Sequence, residues 1–444
     1  MMSTFSPAVP SVPLPALSGQ ETAAPSRPAL GSFSRHASLA LLLALGVVCV
    51  VDAVIISSLL TPIKTSLHLT DEQFSRTASL LTFAGIAGAP VFAFFANRFG
   101  RKRVLLAGIL LWSIASIGSG LAAGLAGLLL WRATTGFGEA AYNGLAPSWL
   151  ADLYSAKWRN FVFSLFMLRN KVGYAVALWA GATIASRYDW HHAFFVAGIP
   201  GLVLAVGLLF LKEPRPGEAD GAIVRAAKPG SRELLQVLRY PGYIAHAVAL
   251  LVFFIAQAGL IWIPAYLHRV YGLTNKEAAG FFAGVQLYTL PVGLIGGYLA
   301  GLTLQKLRGG LAGFLSLTSL LSAAAAYLAY TSHDLAVTKA FIITFVCAFG
   351  ASAGTLTTLV VETVPPEHRI SAGSFSAIIS TGVSGIVGPE LIGILSDHFG
   401  LQKAILVAPT AYFTAGLLWA ALAIWLATRS LPQTASHIEG IPSR

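Results

Sequence analysis

Long apolar runs follow one another along almost the whole chain, separated by short polar stretches. Runs of about 20 apolar residues match the length of helix that crosses a bilayer. Twelve such segments are expected, at 37–61, 73–97, 102–123, 125–152, 160–186, 192–211, 241–268, 276–304, 309–330, 338–363, 371–397 and 404–427. The longest internal polar stretch, 212–240, falls between the sixth and the seventh and reads as a linker. The pattern therefore predicts an all-α membrane protein of two six-helix bundles, 37–211 and 241–427. Residues 1–36 and 428–444 are tails; the first is rich in Pro, Ser and Ala and reads as disordered. It lacks the basic start and short apolar core of a cleavable signal peptide.

Composition agrees with this pattern. Hydrophobic residues make up 56% of the 444 and charged residues 11%, where a soluble domain carries about 25% charged. The net charge of +11 raises the question of nucleic acid, and its placement answers against it. With the N-terminus inside, the inner loops and tails hold 19 of the 29 Lys and Arg and the outer side seven. This bias predicts a multi-pass protein of the cell membrane with both termini in the cytoplasm. Both cysteines, Cys49 and Cys347, lie in apolar runs, so no disulfide framework is expected.

The other three cations, Arg132, Arg169 and Lys171, fall inside predicted spans. A cation there costs about 2.5–3.5 kcal/mol on insertion scales, so each needs a reason. At about 1.5 Å rise per residue, Asp52, Glu139, Arg169 and Lys171 share one layer near the middle of the bilayer. Glu139 is the first choice for proton coupling, because a carboxylate in a low-dielectric cavity can exchange its proton as access alternates. A structural ion pair with Arg132, seven residues away on the same helical face, is the other reading. Asp52 is the second coupling candidate.

Arg169 and Lys171 are candidates for an anionic substrate group, Arg through its planar fork and Lys as a point charge. Two residues apart they lie about 200° apart on a helix, so one face cannot present both. Arg169 is the favoured anion ligand, and neutralisation of Glu139, Asp52 or Glu390 is the alternative for both. Arg132 and Glu390, which follows Pro389, are further candidates for the substrate site, with a gate or structural pair the equal alternative at Glu390. Tyr142, Tyr174, Trp262 and Tyr288 are candidate cavity aromatics, although packing explains any one of them as well. Arg98, Arg101 and Asp152 are expected to meet at the inner face as a gate.

The chain resembles the major facilitator superfamily. That family's turn after helix two reads Gly-x-x-x-Asp-Arg-x-Gly-Arg-Arg, and Arg98, Gly100, Arg101 and Lys102 match it. Ala93 stands at the usual Gly and Asn97 at the usual Asp, which weakens the expected gate latch at Asn97. A weaker version of the turn recurs at Gly297–Arg308, in keeping with two repeated halves. Helix four carries Arg132-Ala-Thr-Thr-Gly136-Phe-Gly138. The run Gly138-Glu139-Ala-Ala-Tyr142, followed by Ala146-Pro147 and Ala151-Asp152, is similar to the spinster branch. Asp52, Glu213-Pro214, Trp262-x-Pro264-x-Tyr266-Leu267 and Ser396-Asp397 also fit. The resemblance implies alternating access around a midplane site. Three departures stand out: Arg169-Asn170-Lys171 replaces an apolar Ala-Ile-Pro stretch, Glu390 replaces an aromatic, and Ala53 replaces an Arg.

The expected function is proton-coupled transport of a small organic anion, carboxylate or phosphate-bearing, by a monomer in the lipid bilayer. A lysolipid or amphiphile exporter of the spinster type is the alternative. A non-transporting sensor or scaffold is the reading from a different class. No nucleotide loop, metal cluster or cofactor motif is present, so no enzyme, metal or cofactor is expected.

Overall fold

The computed structural model describes residues 32–215, 218–220, 236–300, 307, 309–365 and 368–428. Most of the tails, much of the linker and most of the second basic turn at 301–308 lie outside the described residues. The first half comprises α1 (Ser32–Ser58), α2 (Leu60–Leu67), α3 (Asp71–Phe99), α4 (Arg101–Gly120), α5 (Leu125–Leu153), α6 (Ala156–Arg187) and α7 (Trp190–Phe210). The second comprises α8 (Pro241–Gln257), α9 (Ile263–Tyr271), α10 (Asn275–Leu299), α11 (Gly310–Thr331), α12 (Leu335–Ala351) and α13 (Ala353–Glu362). It continues with α14 (Arg369–Ala377), α15 (Ser384–Phe399), α16 (Leu401–Ala404) and α17 (Val407–Thr428).

Ten helical runs among the described residues are long and apolar enough to cross a membrane. Helices α5 and α10, of 29 and 25 residues, stand between them where a twelve-crossing path requires them. The chain starts and ends its helices at one face, called here the terminal face. Asp71, at the start of α3, lies at the opposite face.

Several predicted spans are interrupted, each for a local reason. The seventh passes from α8 through a 3-10 turn, Ala258–Trp262, into α9. Pro264 lacks an N–H and its ring crowds the carbonyl four residues back, so regular α geometry fails there. The eleventh carries a π turn at Ile378–Val383 between α14 and α15. Such turns concentrate at functional sites. Helix α1 begins a turn before the apolar run predicted for it.

Within the first half, small residues let helices touch. A methyl at Gly136 of α5 would lie 2.0 Å from the carbonyl oxygen of Leu81 on α3. Between the halves, α3 packs on α15 and α6 on α10. Close approach by small residues is the usual way for helices to associate without a hydrophobic driving force.

Candidate functional site

At the opposite face the two halves are tied together. Asp71 accepts from both guanidinium nitrogens of Arg269, at 2.6 and 2.8 Å, and from Ser396 Oγ at 2.5 Å. Lys64 of the first half also pairs with it. The Asp397 carboxylate accepts from the backbone N–H groups of Asp71 and Glu72, both at 2.8 Å. It thereby caps α3 from the other half, in place of an intrahelical partner. Asn275 Nδ2 donates to the Ser58 carbonyl at 2.6 Å, and Phe74 meets Trp262 edge to face.

Toward the terminal face the halves part around a cavity of about 520 Å³. Its walls run from Val360 and Gly373, near the terminal face, to Tyr174 and Gln257 at mid-depth. Lys171 lies about 22 Å along α6, near its middle. Its Nζ stands 6.0 Å from the Phe349 ring centroid on the far wall. Asn170, Gln257, Gln286 and Ser376 are further polar lining groups, and Met167, Leu250, Phe254 and Leu356 are apolar ones. Among the lining residues Lys171 is the one ionisable aliphatic charge. A second chamber of about 400 Å³ shares Tyr174, Phe254, Gln257, Leu260 and Ser380 with the first.

A separate polar cluster lies inside the first half. Arg132 and Asp52 are both fully buried and paired at 3.2 Å. Ser116 Oγ donates to Asp52 at 2.7 Å, and the Arg132 guanidinium also donates to the Asp52 carbonyl at 3.2 Å. Glu139 is 5% exposed, and its Oε1 has no hydrogen-bond partner among the described residues. Arg169 points into this cluster, over Phe166 at 4.1 Å and Tyr142 at 5.1 Å.

The charged pair on α6 is thus divided as helical geometry requires. Lys171 faces the cavity, and Arg169, the favoured anion ligand from sequence, faces the first-half interior. The reason is visible in the helix. Arg169, Gly173, Ala177 and Gly181 form one stripe at four-residue spacing. A methyl at Gly173 would lie 2.7 Å from Val50, and one at Gly181 2.2 Å from Ser58 Oγ. That stripe is the face pressed on α1, and Arg169 belongs to it.

Other candidates fall elsewhere. Arg132 pairs with Asp52 and not with Glu139, and it does not reach the cavity. Glu390 lies 3.4 Å from Arg76 and joins the closure at the opposite face. Tyr142 is buried, with its hydroxyl donating to the Leu42 carbonyl at 2.6 Å. Tyr174 lines both chambers and meets Phe282 across the halves at 6.2 Å. Trp262 is buried at the closed end, and Tyr288 is 59% exposed, outside the lining.

At the terminal face Arg101 bonds Asp152 at 2.5 Å, Glu213 at 3.4 Å and the Pro214 carbonyl at 2.8 Å. Arg98 stands over Phe99, and Asn97 is exposed near it. The expected meeting of Arg98, Arg101 and Asp152 is therefore partial: Arg101 and Asp152 join, while Glu213 takes the third place. Gln257, Gln286 and Ser380 were missed. An uncharged polar side chain inside an apolar run was the signal that marked all three.

Two halves closed at one face, a half-depth cavity between them and a polar layer at the midplane are the geometry of a carrier. A family model described as Major Facilitator Superfamily matches residues 41–389. The chain belongs to that superfamily. It is a transporter of this family and not an enzyme, and it resembles the spinster branch. Protein spinster homolog 1 of Xenopus tropicalis is 26% identical over 374 residues, covering 80% of this chain and 71% of its own. The mouse sphingosine-1-phosphate transporter is 25% identical over 456 residues, covering 94% and 83%. A bacterial homolog of the human lysosomal transporter spinster, solved inward-facing and unoccupied, superposes with a TM-score of 0.76. It is 20% identical, with 90% of this chain and 97% of that one covered. A D-xylose-proton symporter shares the fold with a TM-score of 0.67, at 18% identity over 86% of this chain and 97% of its own. Among the described residues no group of His, Cys, Asp and Glu could hold a metal.

Proposed function

We propose that this superfamily member carries an organic anion across the cell membrane by alternating access, with proton movement coupled through Glu139. The observation that carries the reading is Lys171, a single ammonium on a cavity wall of otherwise neutral side chains. A lone cation in such a wall selects an anionic group, carboxylate or phosphate, by charge. Asn170 and Gln257 supply hydrogen bonds for its polar neighbours. Glu139 is the proton site of this reading, because it is buried, at the depth of the cavity and without a partner for Oε1 among the described residues. Asp52 is matched by Arg132 and Ser116 and acts as a structural partner. Reading the terminal face as cytoplasmic follows from the loop charges, and it makes this conformation inward-facing.

The apolar part of the wall favours a second reading within the same site. Met167, Leu250, Phe254, Leu356 and Phe349 would receive a hydrocarbon tail while Lys171 holds its anionic head. The mouse relative, named as a sphingosine-1-phosphate transporter, supports that choice. Uptake by reconstituted full-length protein separates the two. Labelled short carboxylates and labelled lysophospholipid phosphates are offered to the same proteoliposomes. Transport of short anions alone supports the first reading, and transport of the lipids alone supports the second. Transport of either class that survives Lys171→Gln unchanged would contradict both.

A further inference from the structure

The layer around Glu139 contains a buried carboxyl and a buried guanidinium that are neighbours without being paired. Glu139 Oε1 has no partner among the described residues, and neither do Arg169 Nε and Nη1. The Arg169 guanidinium donates from Nη2 to Asn143 Oδ1, at a long 3.3 Å, and lies beside the Cys49 thiol. Asn143 and Glu139 are four residues apart on α5, so they stack on one helical face, about 6 Å apart at Cβ. Asn143 is exposed, and Glu139 lies one turn deeper.

The guanidinium sits in a fixed slot. Its central carbon lies 4.1 Å from the Phe166 ring centroid and 5.1 Å from that of Tyr142, two rings side by side. Tyr142 is anchored by its hydrogen bond to Leu42, and its ring stacks with Phe166 at 6.1 Å. Gly46 of α1 leaves room for both side chains. A methyl there would lie 2.4 Å from Tyr142 Oη and 2.5 Å from Arg169 Cδ. Aromatic faces attract a cation without fixing which polar group its nitrogens meet. The slot therefore holds the charge while leaving its partner open.

We propose that Arg169 is a two-position counter-ion. It donates to Asn143 while Glu139 carries a proton, and it moves one turn along α5 to pair with Glu139 when the proton leaves. A charge-assisted pair with the carboxylate is stronger than the neutral bond to Asn143, so the proton decides which is made. The inference rests on the reading of Glu139 as proton carrier. It makes Arg169 a positioning residue, two positions from Lys171 on the same helix, so the movement is passed to the cavity wall through Asn170 and Lys171.

The ionisable groups around Glu139 are Cys49 and Asp52 from α1, Arg132 and Tyr142 from α5, and Arg169 from α6, with Lys171 at the same depth on the cavity side of α6. The ionisable side chains of α3, α4 and α7 stand at their ends, in the surface layers. Asp52 Oδ1 is matched by Arg132 and Ser116, while Asp52 Oδ2 and Arg132 Nε have no partner among the described residues. Arg132 commits Nη1 and Nη2 to Asp52, and Arg169 is the second cation beside Glu139.

The test is an infrared pH titration of the full-length protein in detergent. The band of the protonated Glu139 carboxyl is identified as the one missing from Glu139→Gln. In Arg169→Gln the band is expected to persist to higher pH, by about one pH unit, because the carboxylate has lost its cation. In Asn143→Ala it is expected to vanish at lower pH, because Arg169 has lost its competing partner. Arg169→Lys, which keeps the charge, is expected to fall between wild type and Arg169→Gln. Opposite movements support the switch, and a purely structural role for Arg169 gives no reason for them. A Glu139 band that titrates but is unmoved, or moved upward, in Asn143→Ala overturns the switch and leaves the proton-carrier reading standing. A Glu139 band that never titrates overturns both. If Arg169→Gln does not fold, the Asn143→Ala arm at its exposed position decides alone.

Discussion

Asp52 and Arg132 are both fully buried, and each is the other's counter-charge. Removing one partner leaves an uncompensated ion in the interior, at a cost of about 3–5 kcal/mol. Asp52→Ala is therefore expected to lower thermal stability strongly. Asp52→Leu combined with Arg132→Met is expected to recover most of it. Thermal unfolding of the purified variants checks this, and a double variant no more stable than the single would contradict the structural role. Gly46 makes a second expectation at this scale. Gly46→Ala drives a methyl into Tyr142 and Arg169, with an overpacking cost of about 1–3 kcal/mol. The sequence identified the midplane charges without effort, because ions are rare in apolar runs. It did not say which way they point, since spacing fixes the angle between two residues and not the rotation of the helix. The stripe of Arg169, Gly173, Ala177 and Gly181 carried that information, and it becomes legible once small residues are read as the packing face.

At the scale of elements, the closure at the opposite face gathers the ion pairs found between the halves among the described residues. Asp71 and Asp397 bind reciprocally across it, the first through Arg269 and Ser396, the second through the N-terminus of α3. Glycines allow the approach: a methyl at Gly393 of α15 would lie 2.8 Å from the Asp71 carbonyl oxygen. Losing Asp71 is expected to shift the population toward the form open at that face. A cysteine placed at cavity residue Ser380 reports the shift, read with a membrane-impermeant thiol reagent in sealed vesicles. In the otherwise wild-type protein it is expected to react from the terminal side. With Asp71→Ala it is expected to react from both sides. Labelling unchanged by Asp71→Ala would show that the closure rests on packing alone. The positions of the helices were largely legible from apolar length. The breaks at Ala258–Trp262 and Ile378–Val383 were not, because a proline or a π turn changes geometry without interrupting hydrophobicity. Glu390 stayed open between substrate contact and a gate or structural pair for a related reason: depth along α15 does not reveal that Arg76 lies across the interface.

At the scale of the whole molecule, a sealed opposite face, a cavity reaching from the terminal face to mid-depth and a polar layer beside it make one device. The cavity and the Glu139 cluster share α6 as a common wall, with Lys171 on one side and Arg169 on the other. In the proposed reading, substrate charge and proton charge are separated by a single helix. Lys171→Gln is expected to raise KM for the anion about tenfold or more, equivalent to roughly 1.4 kcal/mol of lost binding. Lys171→Arg is expected to retain most of the affinity. Concentration-dependent uptake into proteoliposomes measures both. The coupling itself is tested most directly by uptake of the labelled anion with an imposed pH gradient, compared with uptake at equal pH on both sides. The account predicts gradient-driven accumulation in the wild type and gradient-indifferent equilibration in Glu139→Gln. Accumulation in Glu139→Gln equal to that of the wild type would contradict it.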